Sequence, residues 1–159
     1  MIQVKSILVP VDFSEGSRYA LEYAIGLAQK FGASIEVLHA WYTPEYISPA
    51  VAVQAIEGES QTLEALMNRE AKRQLEEFLK KMKVPEGVEI RTSFELGPEA
   101  EVISTVAKNH DMIVMGTHGR SGIARLFMGS VADGVLRRAP CPVLVIRSPR
   151  KPERGEEKA

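Results

Sequence analysis

Met112-Ile113-Val114-Met115-Gly116-Thr117-His118-Gly119-Arg120-Ser121-Gly122-Ile123-Ala124-Arg125-Leu126-Phe127-Met128-Gly129-Ser130 sets a wholly apolar run directly before a glycine-rich loop. The run from Met112 to Met115 fits a strand covered on both faces, as in a parallel sheet. The loop from Gly116 to Gly129 then precedes a short helix beginning at Ser130. In open α/β sheets ligands collect beyond the carboxyl ends of the strands, and a helix start offers unpaired N–H groups with partial positive charge. Gly116, Gly119 and Gly129 would let the backbone approach phosphate oxygens and adopt positive φ, while the hydroxyl and amide of Ser130 add donors. His118, Arg120 and Arg125 could add charge. The competing use of such glycines is to turn the chain. There is no Gly-Lys-Ser/Thr, and no Gly-x-Gly-x-x-Gly follows the first strand, so neither an ordinary P-loop nor a dinucleotide fingerprint applies.

The flanking sequence alternates strands with helices. Ser6-Ile7-Leu8-Val9-Pro10-Val11 is a short apolar run ended by Asp12. Ser14 can cap a helix whose apolar residues Ala20, Leu21, Ala24, Ile25, Ala28 and Phe31 recur at helical spacing, and Gly32 stops it. Ile35 to Ala40 reads as a second strand. From Trp41 to about Gly58 the chain carries Pro44 and Pro49 and has no clean period. Ser60 is expected to open a long helix with Leu63, Leu66, Met67, Ala71, Leu75, Phe78, Leu79 and Met82 along one stripe. Val88, Ile90, Thr92 and Phe94 alternate with polar residues, so the third strand has one wet face and lies near a sheet edge. Gly97-Pro98 starts a helix with proline at its first position and Val102, Ile103, Val106 and Ala107 inward. Val143 to Ile146 is the fifth strand. Five strands alternating with four helices predict a single doubly wound parallel α/β domain.

Length and composition agree with one domain. The chain has 159 residues, 45% of them hydrophobic, enough for a core without covalent staples. Its 20 basic and 21 acidic side chains give a net charge of -1, which supplies no long-range attraction for nucleic acid or an anionic membrane. The single cysteine, Cys141, cannot form an internal disulfide. The start lacks a signal peptide pattern, and no apolar segment approaches a membrane span. The expected setting is the cytoplasm, and the tail over 148–159 is expected to be polar and unpacked.

Gly-x-x-Gly, nine residues, then Gly-Ser resembles the ATP-binding motif of universal stress proteins, matched by Gly116, Gly119, Gly129 and Ser130. Ile7 to Asp12, Val37 to Ala40 and Ala139 to Ile146 are similar to that family's opening, second and closing strands. The likeness spans nearly all of residues 3 to 147, and the domain is drawn over 1–147. It implies a Rossmann-like sheet of order 3-2-1-4-5, as in adenine nucleotide alpha hydrolases, with a crevice between Asp12 and Gly116. Pro10, Val11 and Asp12 would line the adenosine end, with the Asp12 carboxylate accepting from base or ribose, and Ala40 would pack near adenine. Met115 to Gly119, Arg120, and Gly129, Ser130, Val131 and Ala132 would wrap ribose and phosphates. The implied ligand is ATP, with AMP and cyclic AMP as alternatives, and Mg2+ or Mn2+ as a companion whose ligands no carboxylate cluster identifies. The implied role is a nucleotide-dependent regulatory module in the stress response. The rivals are a slow ATP hydrolase or nucleotidyl-transfer enzyme, and a dimeric interaction protein that binds no nucleotide.

Other residues admit a plainer use. Asp12 can instead cap the helix beside Ser14. His39, inside an apolar strand, reads as a hydrogen-bonded core histidine. His118 has no evident carboxylate to orient it as a base. Trp41, Tyr42 and Tyr46 are either a lid or core. Cys141 reads as a small buried side chain, and Arg137 and Arg138 as cations at a helix end. If the fifth strand is an edge, as the resemblance implies, pairing with its own copy would cover it, which predicts an antiparallel homodimer through Val143 to Ile146.

Overall fold

The computed structural model describes residues 1–43, 52–54, 60–117 and 128–149. In chain order these form β1 (Ser6–Pro10), α1 (Glu15–Phe31), β2 (Ser34–Trp41), β3 (Ala52–Gln54), β4 (Ser60–Thr62), α2 (Leu63–Lys80), β5 (Ile90–Leu96), α3 (Glu99–Val106), β6 (Met112–Gly116), α4 (Ser130–Arg138) and β7 (Val143–Ile146). A single 3-10 turn, Ala107–Asn109, follows α3. Five strands make one parallel sheet in the order β5-β2-β1-β6-β7, which is 3-2-1-4-5 when its strands are counted along the chain. β1 pairs with β2 through Ile7 and Ile35, and with β6 through Leu8 and Ile113.

The apolar runs are buried because both faces of the sheet are covered. Ile7 and Val9 face α1 and α2, where they meet Ala20, Leu21, Ala24, Leu75 and Phe78. Leu8 faces the other way, toward Ile103, Ala107 and Val135 of the α3 and α4 side. This follows from the two-residue period of a strand. Each fully buried Ile or Leu contributes about 1.5–3 kcal/mol. α1 starts at Ser14, whose Oγ accepts the Ser17 N–H at 3.2 Å. It ends at Gly32, whose φ of 66 suits glycine and whose N–H reaches the Ala28 carbonyl. Phe31, expected in the buried stripe, is 54% exposed, because the last turn carries the chain off the sheet toward β2.

The long helix does not open at Ser60. Ser60 pairs with Gln54 in a small antiparallel ladder of β3 and β4, and the cap is Thr62, whose Oγ1 accepts the Ala65 N–H at 3.2 Å. Three-residue strands are too short for a two-residue period to register. Only the later part of the α2 stripe packs, since Ala71, Leu75 and Phe78 are buried while Met67 is exposed. Pro98 is the cap before α3, so that helix begins at Glu99. β5 is an edge strand, with Ile90 and Phe94 on the core.

Polar side chains close the amino ends of the strands. Asp111 Oδ2 accepts the N–H groups of Lys5 at 2.8 Å and Ser6 at 3.0 Å, tying β1 to the start of β6. Glu36 of β2 accepts from Ser93 Oγ at 2.7 Å, from Arg91 Nε at 2.9 Å and from His110 Nε2 at 3.1 Å. The other ring nitrogen of His110 lies 3.0 Å from the Val106 carbonyl. Burial works against the Glu36 charge, but the Ser93 hydrogen bond and the pull of His110 and Arg91 outweigh it and hold the carboxyl below its usual range. Cys141 is half-buried against the α3 and α4 side, and burial pushes its thiol up. At the end of α4, Arg137 pairs with Asp133 at 2.9 Å and Arg138 reaches the Gly134 carbonyl at 3.4 Å.

Candidate functional site

At their carboxyl ends β1, β2 and β6 open into a cavity of about 530 Å³, within the range of small-molecule sites. It lies where the strand order reverses between β1 and β6, the place an open α/β sheet leaves for a ligand. β1 leaves the sheet at Val11, whose N–H reaches the Leu38 carbonyl at 2.8 Å. Asp12 follows at the cavity rim. Its Oδ1 accepts the Ser14 N–H at 3.0 Å and so directs entry into α1, and its side chain lines the cavity.

β6 ends at Gly116, directly against the first turn of α1. A side chain at Gly116 would put its Cβ 3.0 Å from the carbonyl carbon and oxygen of Gly16, so this position must stay bare for the helix to lie across the strand. The sequence alone suggested phosphate as the reason; close helix approach is sufficient. Neither Gly116 nor Gly129 uses the positive φ expected of them. The N–H of Gly129 returns to the Thr117 carbonyl at 2.7 Å, which brings the start of α4 back to the end of β6.

α4 begins at Gly129, which has no side chain to cap it. Its first intrahelical bond runs from the Asp133 N–H to the Gly129 carbonyl at 3.0 Å, leaving the N–H groups of Ser130, Val131 and Ala132 ahead of the ladder. Among the described residues no side chain caps them, and all three residues line the cavity. A helix start of this kind favours negative charge beside it. On the α2 wall, hydrogen bonds from Arg73 and Gln74 hold the Glu70 carboxyl down to about 2, in an ion pair with Arg73 at 2.6 Å.

The structure brings Pro10, Val11, Asp12, Ala40, Met115, Gly116, Gly129, Ser130, Val131 and Ala132 to this one cavity. His118, Gly119, Arg120, Arg125 and Tyr46 lie outside the described residues. His39 is half-buried in the cavity wall, and its Nδ1 lies 2.8 Å from the Val11 carbonyl, which as an acceptor places the ring proton on Nδ1. Trp41 is a fixed wall, buried and donating Nε1–H to Asn68 Oδ1 at 3.1 Å, whereas Tyr42 at the rim is 53% exposed. Met67, Glu70, Ala71 and Gln74 of α2 and Glu99 and Ile103 of α3 complete the walls and were not anticipated. Among the described residues there is no group of three or more His, Cys, Asp or Glu that could hold a metal ion.

A model of the universal stress protein family matches residues 3–147. The chain is 38% identical over 149 residues to universal stress protein MJ0531 of Methanocaldococcus jannaschii, covering 92% of this chain and 84% of that one. Its fold matches the solved hypothetical protein MJ0577 with a TM-score of 0.75, at 25% identity over 94% of this chain and 100% of the other. A universal stress protein solved in complex with cAMP matches with a TM-score of 0.58 at 21% identity, covering 93% and 100% of the two chains.

Proposed function

The chain belongs to the universal stress protein family, and on that premise we propose that it binds ATP and acts as a nucleotide-dependent regulatory module of the stress response. The observation that carries this reading is the cavity at the β1 and β6 ends, into which α4 directs N–H groups without a capping side chain. Ser130, Val131 and Ala132 would hold phosphate oxygens, and Asp12, beside Pro10 and Val11, would accept hydrogen bonds from adenosine. The nucleotide would supply a polyphosphate charge that orders the approach to α4, and partners would read that surface.

We extend the reading to a homodimer. β7 is a sheet edge, and its four apolar residues are each half-buried, so a second copy paired along Val143–Ile146 would cover both the edge and its side chains. Residues 1–147 would act as one unit, in the cytoplasm. Among the described residues no helix is long and apolar enough to cross a membrane.

Calorimetric titration with ATP, AMP and cyclic AMP, with and without Mg2+, tests the ligand. Saturable ATP binding at one site per chain is expected; heat only from cyclic AMP, or none at all, contradicts the reading. Elution at twice the chain mass at micromolar concentration is expected for the dimer, and a monomeric mass contradicts it.

A further inference from the structure

Between Asp12 and Ser14, which both line the cavity, stands Phe13 with a φ of 64. Among the described residues it is the one non-glycine with positive φ. A bulky residue in the left-handed region is an outlier that persists only where its surroundings over-determine it. Here the surroundings are visible. The Phe13 ring lies 4.5 Å from the His39 ring and meets Phe78 edge-on at 5.8 Å. It packs on the core under α1 and α2. His39 in turn donates Nδ1–H to the Val11 carbonyl. The exit of β1 is thus gripped from both sides of the bend.

We propose that Phe13 is a positioning residue of the nucleotide site: its ring, clamped by His39 and Phe78, holds the left-handed bend that turns Asp12 to the cavity and Ser14 to the start of α1. The proposal rests on the reading of the cavity as a nucleotide site. Phe13 acts through its neighbours, because its own side chain packs into the core.

Two variants separate the backbone from the ring. Phe13→Ala and Phe13→Gly both delete the ring and both are expected to unfold at lower temperature than the wild type. They differ in that glycine enters the left-handed region freely and alanine does not. With ATP as the calorimetric probe, Phe13→Ala is expected to weaken binding about tenfold, since nothing then holds the strained bend. Phe13→Gly is expected to stay within about threefold of wild type. Two variants that bind ATP as the wild type does would overturn the proposal and leave Phe13 a core residue. Equal losses in both would also overturn it, since the bend would then not be what matters. A wild type that binds no ATP brings down the nucleotide reading and this proposal together, an outcome visible before any variant is made. If Phe13→Ala does not fold, Phe78→Leu keeps Phe13 and every cavity-lining residue while loosening the clamp. It is expected to weaken ATP binding about threefold, and unchanged affinity would overturn the proposal.

Discussion

At the amino ends of the strands, Asp111 receives the N–H groups of Lys5 and Ser6, and Glu36 is closed on by Ser93, Arg91 and His110. At the carboxyl ends of the same strands, α4 starts from a bare glycine and β1 leaves through a strained bend. One end spends its polar groups on itself, and the other leaves donors facing a cavity. With the proposed nucleotide at the cavity, stability and binding would fall to opposite rims of one sheet, and a change at either rim should move one property more than the other.

The sharpest break in that division is Gly129→Val. A branched side chain at the α4 cap would crowd the proposed phosphate site, and ATP binding is expected to fall about 100-fold. Sedimentation mass and unfolding temperature should hardly move, and retained ATP affinity would show that α4 does not hold the phosphates. The converse change is Glu36→Gln. Its loss of charged hydrogen bonds is expected to cost about 2 kcal/mol in denaturant unfolding, with ATP affinity per folded molecule unaltered. A comparable drop in affinity would mean the rims are coupled.

Acid should act on the same rim. The folded Glu36 carboxyl titrates below its ordinary value of 4.5, so the stability it contributes is complete above that value and is lost as pH falls through the lower, folded one. The N–H groups of Lys5 and Ser6 hold Asp111 down in the same sense. Unfolding scans below about pH 4.5 should therefore lose less stability per pH unit in Glu36→Gln than in the wild type. Parallel acid limbs would discount Glu36. The smallest effect expected is from Ser14→Ala, which removes the α1 cap at about 1 kcal/mol, measurable as a shift in unfolding midpoint.

Much of this was legible in the residues. The runs at Ile7 to Val9 and Met112 to Met115 announce strands buried on both faces, and the glycines closing at Gly129 and Ser130 announce a helix start at the end of a strand. The amino-terminal rim was not legible, because Glu36 stands 55 residues from Arg91 and 74 from His110; the parallel register of β2 and β5 joins the first pair, and the turn after α3 brings in the second. The α2 wall was hidden for a related reason. Met67 and Glu70 sit within an ordinary amphipathic pattern, and it takes the stand-off of the first turns of α2 to turn them toward the cavity. Phe13 could not be found at all from residue type, since nothing about phenylalanine signals a left-handed bend.

Trp41 is the only tryptophan in the chain, and its indole is both fixed by Asn68 and part of the cavity wall. The molecule thereby carries its own optical label at the place of interest. Intrinsic emission, excited where nucleotides do not absorb, should follow occupancy in real time without a dye or a fusion.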